Sequence, residues 1–308
     1  MLTVHREQLT VRHASDRPLD LGLTLGPLRH GAGDPTFRTT PDGAVWRTSL
    51  LRTGPVTQRF TVADERTVVV QHWGPGAAEA AAQLPTLLGE DDDTSGFVPP
   101  LQAADAHRRT PGLRMPRSER VMEALVPAVL EQKVQVVTAH RAWRWLLARH
   151  GTPAPGPAPS GMRVVPDART WAAVPVWDWH RAGVDATRAR TIVRCARVAA
   201  RLEEAAAMPP AEGRARLETV PGIGVWTSAE VAQRALGDAD AVSVGDFHLA
   251  GAVGWALTGE RTDDAGMLRL LAPYAPHRHR VVRLLFLGGR ARAPRRGPKL
   301  PIPDYRAF

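Results

Sequence analysis

Length, composition and charge limit the classes of protein that this chain can form. Its 308 residues are enough for about two domains, each with its own core, and 44% hydrophobic with 23% charged residues is typical of a globular protein. No apolar run approaches the roughly 20 residues of a membrane span, and the N-terminus lacks the layout of a signal peptide. We therefore expect a cytoplasmic protein. The single cysteine, Cys195, excludes an internal disulfide framework and a four-cysteine cluster.

The formal net charge of +9 is concentrated near the end of the chain. Residues 265–303 carry nine basic side chains and no carboxylate before Asp304. Such arginines neutralise phosphates and release counterions, so the segment favours a nucleic acid as partner. A solvated basic tail is the alternative. The nine residues are Arg269, Arg278, Arg280, Arg283, Arg290, Arg292, Arg295, Arg296 and Lys299.

The first part of the chain has the pattern of an antiparallel sheet. Short stretches such as AVWRTSLLR, VTQRFTV and TVVVQHW are separated by proline, glycine and aspartate signals. They predict a β-rich domain over residues 1–97, with a helix at 76–89 laid across it. The acidic GEDDDTSGF at 89–97 predicts a linker or crossing loop.

Helical periodicity dominates residues 98–308, so the predicted fold class is α+β, with an all-α second domain. Residues 118–151 form a helical pattern that we expect to break around Pro127, and a proline-rich loop follows at 152–159. Further helices are predicted at 167–173, 177–182, 185–207, 211–219, 225–236, 247–257, 263–272 and 276–288.

The segment LETVPGIGVWTS at 217–228 predicts two helices joined by a tight turn. One helix ends near Thr219 and the next begins at Val225. The second helix presents free backbone amides at its start, and the two glycines let a phosphate approach them without side-chain obstruction. A simple helix connection is the alternative for this turn alone. The predicted DNA-binding residues of this hairpin are Gly222, Ile223, Gly224 and Thr227.

An aspartate, Asp246, immediately precedes the next helical run in AVSVGDFHLAGAVGWAL at 241–257. Taken alone, it would be a helix N-cap. Together with PGIG, it resembles the helix-hairpin-helix DNA glycosylase superfamily, whose motif ends in a glycine- or proline-rich loop and a single aspartate. Within the superfamily the chain is most similar to 3-methyladenine DNA glycosylase II, which has an extra β domain. The likeness covers nearly the whole chain, including LEQKV at 130–134 and the basic end.

This resemblance implies a monofunctional DNA glycosylase of base excision repair, which flips alkylated bases out of duplex DNA and removes them by hydrolysis. Asp246 would stabilise the positive charge that develops on the sugar. Strand-cutting members carry a lysine two positions after the second glycine, where this chain has Trp226, so water is the expected nucleophile. A bifunctional glycosylase/lyase and a non-catalytic helix-hairpin-helix DNA-binding protein remain alternatives.

The resemblance also implies a base pocket, which we assign to Trp226, Trp177 and Glu230. An aromatic ring suits a cationic base. Glu230 lies where the nearest relatives often carry an aromatic residue, so we expect a more acidic pocket.

Further DNA contacts and ions follow from the same resemblance. Gln132 and Lys133 match the junction from which the family inserts a side chain into the minor groove, and a phosphate contact is the alternative for Lys133. Arg283 is predicted to bind DNA from the basic segment. The hairpin is expected to hold Na⁺ or K⁺ on the backbone carbonyls of Glu218, Val220 and Ile223. We expect no other cofactor and no iron–sulfur cluster, and a monomer that acts on damaged double-stranded DNA in the nucleoid.

Overall fold

A five-stranded antiparallel sheet forms the N-terminal part of the computed structural model, which describes residues 8–292. The strand order is β1-β5-β4-β3-β2. Val45 pairs with Phe60, and Phe60 with Val70, so one buried apolar row crosses three strands. The antiparallel sheet is what the short stretches separated by turn signals predict. The strands are β1 Leu9–Ala14, β2 Phe37–Thr39, β3 Val45–Leu51, β4 Gly54–Asp64 and β5 Thr67–Trp73.

Both faces of this sheet are covered. Three short helices pack on the Phe60 side: α1 Leu21–Leu25, α2 Ala77–Ala82 and α3 Leu84–Leu87. On the other side Trp46 stacks on Trp73 at 5.6 Å between ring centroids. The proline-rich loop covers this pair, between the two-residue strands β6 Thr152–Pro153 and β7 Arg163–Val164.

Helices account for the rest of the described chain, which confirms the α+β fold class. They bury two hydrophobic clusters. The first is formed by the helices from α5 to α12, and the second by α4 together with α13, α14 and α15, with the ranges given below. No helix within residues 8–292 is both long and apolar enough to cross a membrane. The helices are α4 Leu101–Arg109, α5 Val121–Leu130, α6 Val136–His150, α7 Ala168–Ala173, α8 Val176–Ala182, α9 Ala186–Arg197, α10 Ala199–Glu203, α11 Pro210–Glu218, α12 Val225–Val231, α13 Leu249–Thr258, α14 Asp264–Leu271 and α15 Arg278–Leu287.

Two predicted helix boundaries were wrong. Pro127 does not break its helix: its ring is buried inside α5, which continues to Leu130, because core packing outweighs one lost amide bond. The predicted helix at 185–207 is interrupted at Val198, whose backbone leaves the helical region, and it ends in a 3₁₀ turn.

Side chains from the helices reach directly into the sheet. The carboxylate of Glu123 on α5 accepts hydrogen bonds from Arg47 at 3.0 Å and from the Ser49 hydroxyl at 2.7 Å. In the other direction, Asp34 accepts the indole N–H of Trp143 at 3.0 Å. These buried bonds hold the two parts of the chain together, and the division at residues 97 and 98 stays a prediction.

Candidate nucleic-acid interface and active site

The predicted hairpin is present, and its two glycines serve different purposes. Gly222 has a φ of +104°, and a Cβ built on it would lie 2.4 Å from the Thr191 hydroxyl oxygen. Gly224 has a φ of −109°, and a Cβ on it would meet no atom within 4 Å. Gly222 is therefore required for the turn and its packing on α9, whereas Gly224 leaves open space beside the start of α12. Ile223 is buried, whereas Gly222 and Gly224 on either side of it are exposed, so the hairpin presents glycine backbone to solvent.

Gln132 supports the hairpin from the turn that follows α5. Its Nε2 donates to the carbonyl of Gly222 at 3.0 Å and to the hydroxyl of Thr227 at 2.8 Å. Gln132 is thus engaged internally and the Thr227 side chain is buried, and the DNA contacts assigned to these two residues stay predictions. Lys133 is exposed at the tip of the same turn with a φ of +55°, an uncommon backbone conformation for a side chain with a Cβ.

Three donors hold the carboxylate of Asp246. Its Oδ1 accepts the backbone N–H groups of His248 at 2.8 Å and Leu249 at 2.9 Å, so it binds the start of α13, although the N-cap position of that helix is His248 and not Asp246. Its Oδ2 accepts the indole N–H of Trp226 at 3.2 Å. These bonds fix the orientation of the carboxylate.

A cleft of about 280 Å³ opens beside Asp246. Its walls come from α12 and the π-helical turn after it, from the loop that carries Asp246, and from α15. Trp226 contacts Asp246 but is not among the lining residues. The lining residues are Glu230, Gln233, Val242, Ser243, Asp246, His248, Leu249, His279, Val282 and Phe286.

Glu230 does not make this cleft acidic, which corrects the prediction. Its carboxylate pairs with Arg234 at 2.7 Å and accepts the Ser243 hydroxyl. Although burial opposes the charge on Arg234, the nearby Glu230 and Glu131 raise the pKa of this guanidinium. Burial, aided by three arginines, lowers the pKa of His279 well below its usual value, so this imidazole is neutral. Asp246 is thus the lining carboxylate that has no ion-pair partner within residues 8–292.

Trp177 does not lie in this cleft. It is 64% exposed at the start of α8. The next residue, Asp178, contacts His150 at 3.0 Å, at the C-terminal end of α6. The other end of α6 follows the Lys133 turn, and 15 helical residues span about 22 Å. Trp177 is not among the residues that line the cleft beside Asp246, and its assignment to the base pocket stays a prediction.

Arg283 has a structural position rather than a DNA-facing one. Its guanidinium donates to the carbonyls of Leu23 at 2.5 Å and Arg114 at 3.2 Å, and burial with Arg280 nearby lowers its pKa to about 10. Two other basic residues of this segment are also paired internally, Arg278 with Asp240 and Arg280 with Asp92. Arg269, Arg290 and Arg292 are exposed, and Arg295, Arg296 and Lys299 lie outside the described residues.

The structure adds residues that the sequence did not single out. Phe247 and Phe286 are 85% and 51% exposed, the first next to Asp246 and the second in the cleft wall. His248 and His279 line the same cleft. The GDFH stretch contained a signal for Phe247 and His248, whereas Phe286 has the spacing of an ordinary core residue of α15.

The candidate ion ligands of this region are side chains and the backbone carbonyls of the hairpin. Within residues 8–292, no group of three or more His, Cys, Asp or Glu side chains could hold a metal ion. In the hairpin, the Val220 carbonyl accepts the Ile223 amide at 3.0 Å, and the Gly222 carbonyl accepts Gln132. Carbonyl oxygens suit a hard cation. The monovalent cation site on the backbone carbonyls of Glu218, Val220 and Ile223 stays a prediction.

No family model matches this chain. A Mycobacterium tuberculosis protein called "Probable bifunctional transcriptional activator/DNA repair enzyme AlkA" is 30% identical over 218 residues, 68% of this chain. The chain spans 43% of that relative's length.

Solved structures share the fold across most of the chain. The 3-methyladenine DNA glycosylase of Archaeoglobus fulgidus matches 91% of this chain and 98% of its own with a TM-score of 0.74 at 18% identity. The apo-form of the Clostridium acetobutylicum 8-oxoguanine glycosylase/lyase matches 91% and 97% with a TM-score of 0.70 at 11% identity. With the hairpin and Asp246 in place, these likenesses show that the chain belongs to the helix-hairpin-helix DNA glycosylase superfamily, of the AlkA-like type.

Proposed function

We propose that this chain is a monofunctional DNA glycosylase that removes alkylated bases from duplex DNA. The carrying observation is the carboxylate of Asp246, which is held by two backbone amides and an indole N–H at the edge of a cleft. The names of the M. tuberculosis and A. fulgidus relatives, a DNA repair enzyme and a 3-methyladenine DNA glycosylase, support the same proposal.

The proposed chemistry follows from the charge balance of the cleft. A base that is flipped out of the duplex enters the cleft, and its departure develops positive charge on the sugar. Asp246 stabilises that charge and orients a water for attack. Because Glu230 is paired with Arg234 and His279 is neutral, Asp246 supplies the uncompensated negative charge. A base that is already cationic is a good leaving group and needs no partner acid.

The hairpin would position the duplex. Its exposed backbone beside Gly224 and the start of α12 can receive a phosphate, a contact that orients the protein without reading sequence. A monovalent cation on the carbonyls of Glu218, Val220 and Ile223 would add positive charge at the same place. Lys133 is exposed on the adjoining turn and would contact the DNA beside the vacated base position.

Water is proposed as the nucleophile because amines are scarce in this chain. It contains two lysines, Lys133 and Lys299, and Trp226 occupies the position where strand-cutting members carry a lysine. A strand-cutting reaction through a Schiff base would therefore need Lys133, Lys299 or the N-terminal amine. This small number makes the alternative simple to test.

The test is release of free base from a panel of duplexes. Each carries one of 3-methyladenine, 7-methylguanine, hypoxanthine, ethenoadenine, uracil or 8-oxoguanine. We expect release of the alkylated bases with an intact abasic strand and no covalent complex in borohydride. A trapped complex that disappears in Lys133→Gln would establish a lyase instead. Tight DNA binding with no base released from any duplex would indicate a non-catalytic DNA-binding protein.

A further inference from the structure

Four arginines that no role above uses lie exposed along α9 and α10. They are Arg190, Arg194, Arg197 and Arg201, and we refer to them as the arginine stripe. The sequence between Asp185 and Glu203 contains no carboxylate. The stripe is separate from the basic segment near the C-terminus, where three described arginines are engaged within the protein.

The spacing places these arginines on one face. At about 100° per residue, positions 190, 194 and 197 fall within about 60° of one another around α9, and Arg201 continues the line in α10 after the interruption at Val198. The opposite face carries the buried Ile192 and Cys195. From Arg190 to Arg201 the stripe extends about 16 Å.

The charges of the stripe are not balanced locally. None of the four forms an ion pair with a residue in the described range. By contrast, the neighbouring Arg188 is buried and pairs with Asp185. The four exposed arginines form a line about 16 Å long, and the sequence between Asp185 and Glu203 places no carboxylate among them. Such a surface suits a linear polyanion.

The stripe begins beside the hairpin. Thr191 packs against Gly222, and Nη1 of Arg194 lies 3.5 Å from the Pro221 carbonyl. Arg190 and Arg194 therefore flank the hairpin turn, while Arg197 and Arg201 lead away from it. A DNA strand held at the hairpin backbone has further phosphates within reach of such a line, since successive phosphates rise about 3.4 Å along the helix axis.

We infer that the arginine stripe is a second phosphate-binding surface. It contacts up to four phosphates of the duplex that flanks the hairpin site. This inference rests on the proposed DNA binding, and it deepens that proposal by assigning where the flanking duplex lies. The stripe contacts backbone alone, so it contributes to the affinity for damaged and undamaged duplexes equally.

The test compares two quadruple variants of equal charge. The stripe variant is R190Q/R194Q/R197Q/R201Q. The control variant, R12Q/R52Q/R66Q/R108Q, replaces four exposed arginines elsewhere. The Kd for an undamaged 24-base-pair duplex is measured by fluorescence anisotropy between 50 and 200 mM KCl. Each lost phosphate contact should reduce the salt slope by about 0.9.

We expect the stripe variant to lower the slope by about 3 to 4 and the control variant by less than about 0.5. Equal changes in the two variants would overturn the inference. Because the substrate is undamaged DNA, this result does not depend on catalysis, and absence of base release by the wild type would refute the proposed function alone. If the quadruple variant does not fold, R190Q/R194Q should still lower the slope by about 1.8.

Discussion

Replacing Gly222 and Gly224 by alanine should separate the two purposes of the hairpin glycines. At Gly222 an alanine must adopt a φ of +104°, and its Cβ would meet Thr191 Oγ1 at 2.4 Å and Cγ2 at 2.9 Å. The backbone conformation costs about 1–2 kcal/mol, and crowding in a packed site costs a further ~1–3 kcal/mol. Gly222→Ala should therefore lower the free energy of unfolding by about 2–5 kcal/mol.

Gly224→Ala should leave that stability within about 0.5 kcal/mol, because its φ is ordinary and its Cβ enters open space. It should instead weaken DNA binding, since the added methyl group occupies the proposed phosphate approach. Stability is measured by urea unfolding and DNA binding by anisotropy.

The double variant Gly222→Ala/Thr191→Ala removes the two closest atoms and should recover the crowding part of the loss. Equal stability of the two single alanine variants would refute this account of the hairpin. So would a Gly224→Ala protein that binds undamaged duplex as tightly as wild type.

Three further predictions follow from the site and the sheet. Trp226→Phe keeps an aromatic ring but loses the N–H that Asp246 accepts, so single-turnover excision should fall about tenfold for 7-methylguanine and hypoxanthine alike; loss confined to 7-methylguanine would show stacking instead. Arg234→Gln leaves the Glu230 carboxylate unpaired and should lower the free energy of unfolding by about 3 kcal/mol, whereas the double variant with Glu230→Gln should be less destabilised. Burial lowers the pKa of His72 to about 4, so the unfolded chain binds the extra proton below pH 6.5 and stability falls as the pH drops from 6.5 towards 4. Between pH 7 and pH 5 the free energy of unfolding of the wild type should fall by up to about 2 kcal/mol through this residue. The His72→Gln variant should lose that much less over the same range, and identical pH profiles of stability in the two proteins would contradict the lowered pKa of His72.

The sequence predicted features whose cause is local. The antiparallel sheet follows from short strand-forming stretches separated by turn signals, and the hairpin follows from PGIG between helical runs. These expectations are confirmed because backbone propensity and tertiary packing favour the same structure.

Features that depend on distant contacts could not be predicted. Pro127 stays helical because its ring is buried in the core. Arg283 was assigned to DNA because nothing in the sequence shows that carbonyls of Leu23 and Arg114, far away in the chain, lie against it. The pairing of Glu230 with Arg234 is a different case, because Arg234 lies one helical turn later and helical spacing could have indicated that it neutralises the expected acidity.

The proposed function depends most directly on the charge of Asp246. In Asp246→Asn the side chain keeps an oxygen that can accept the His248 and Leu249 amides, while the negative charge is lost. The decisive measurement is the single-turnover rate of 7-methylguanine release at saturating enzyme, with the Kd for undamaged duplex and the thermal midpoint measured alongside. We predict that the rate falls at least about 100-fold while Kd and thermal midpoint stay close to wild type, and excision within a few fold of wild type would contradict the catalytic role of Asp246.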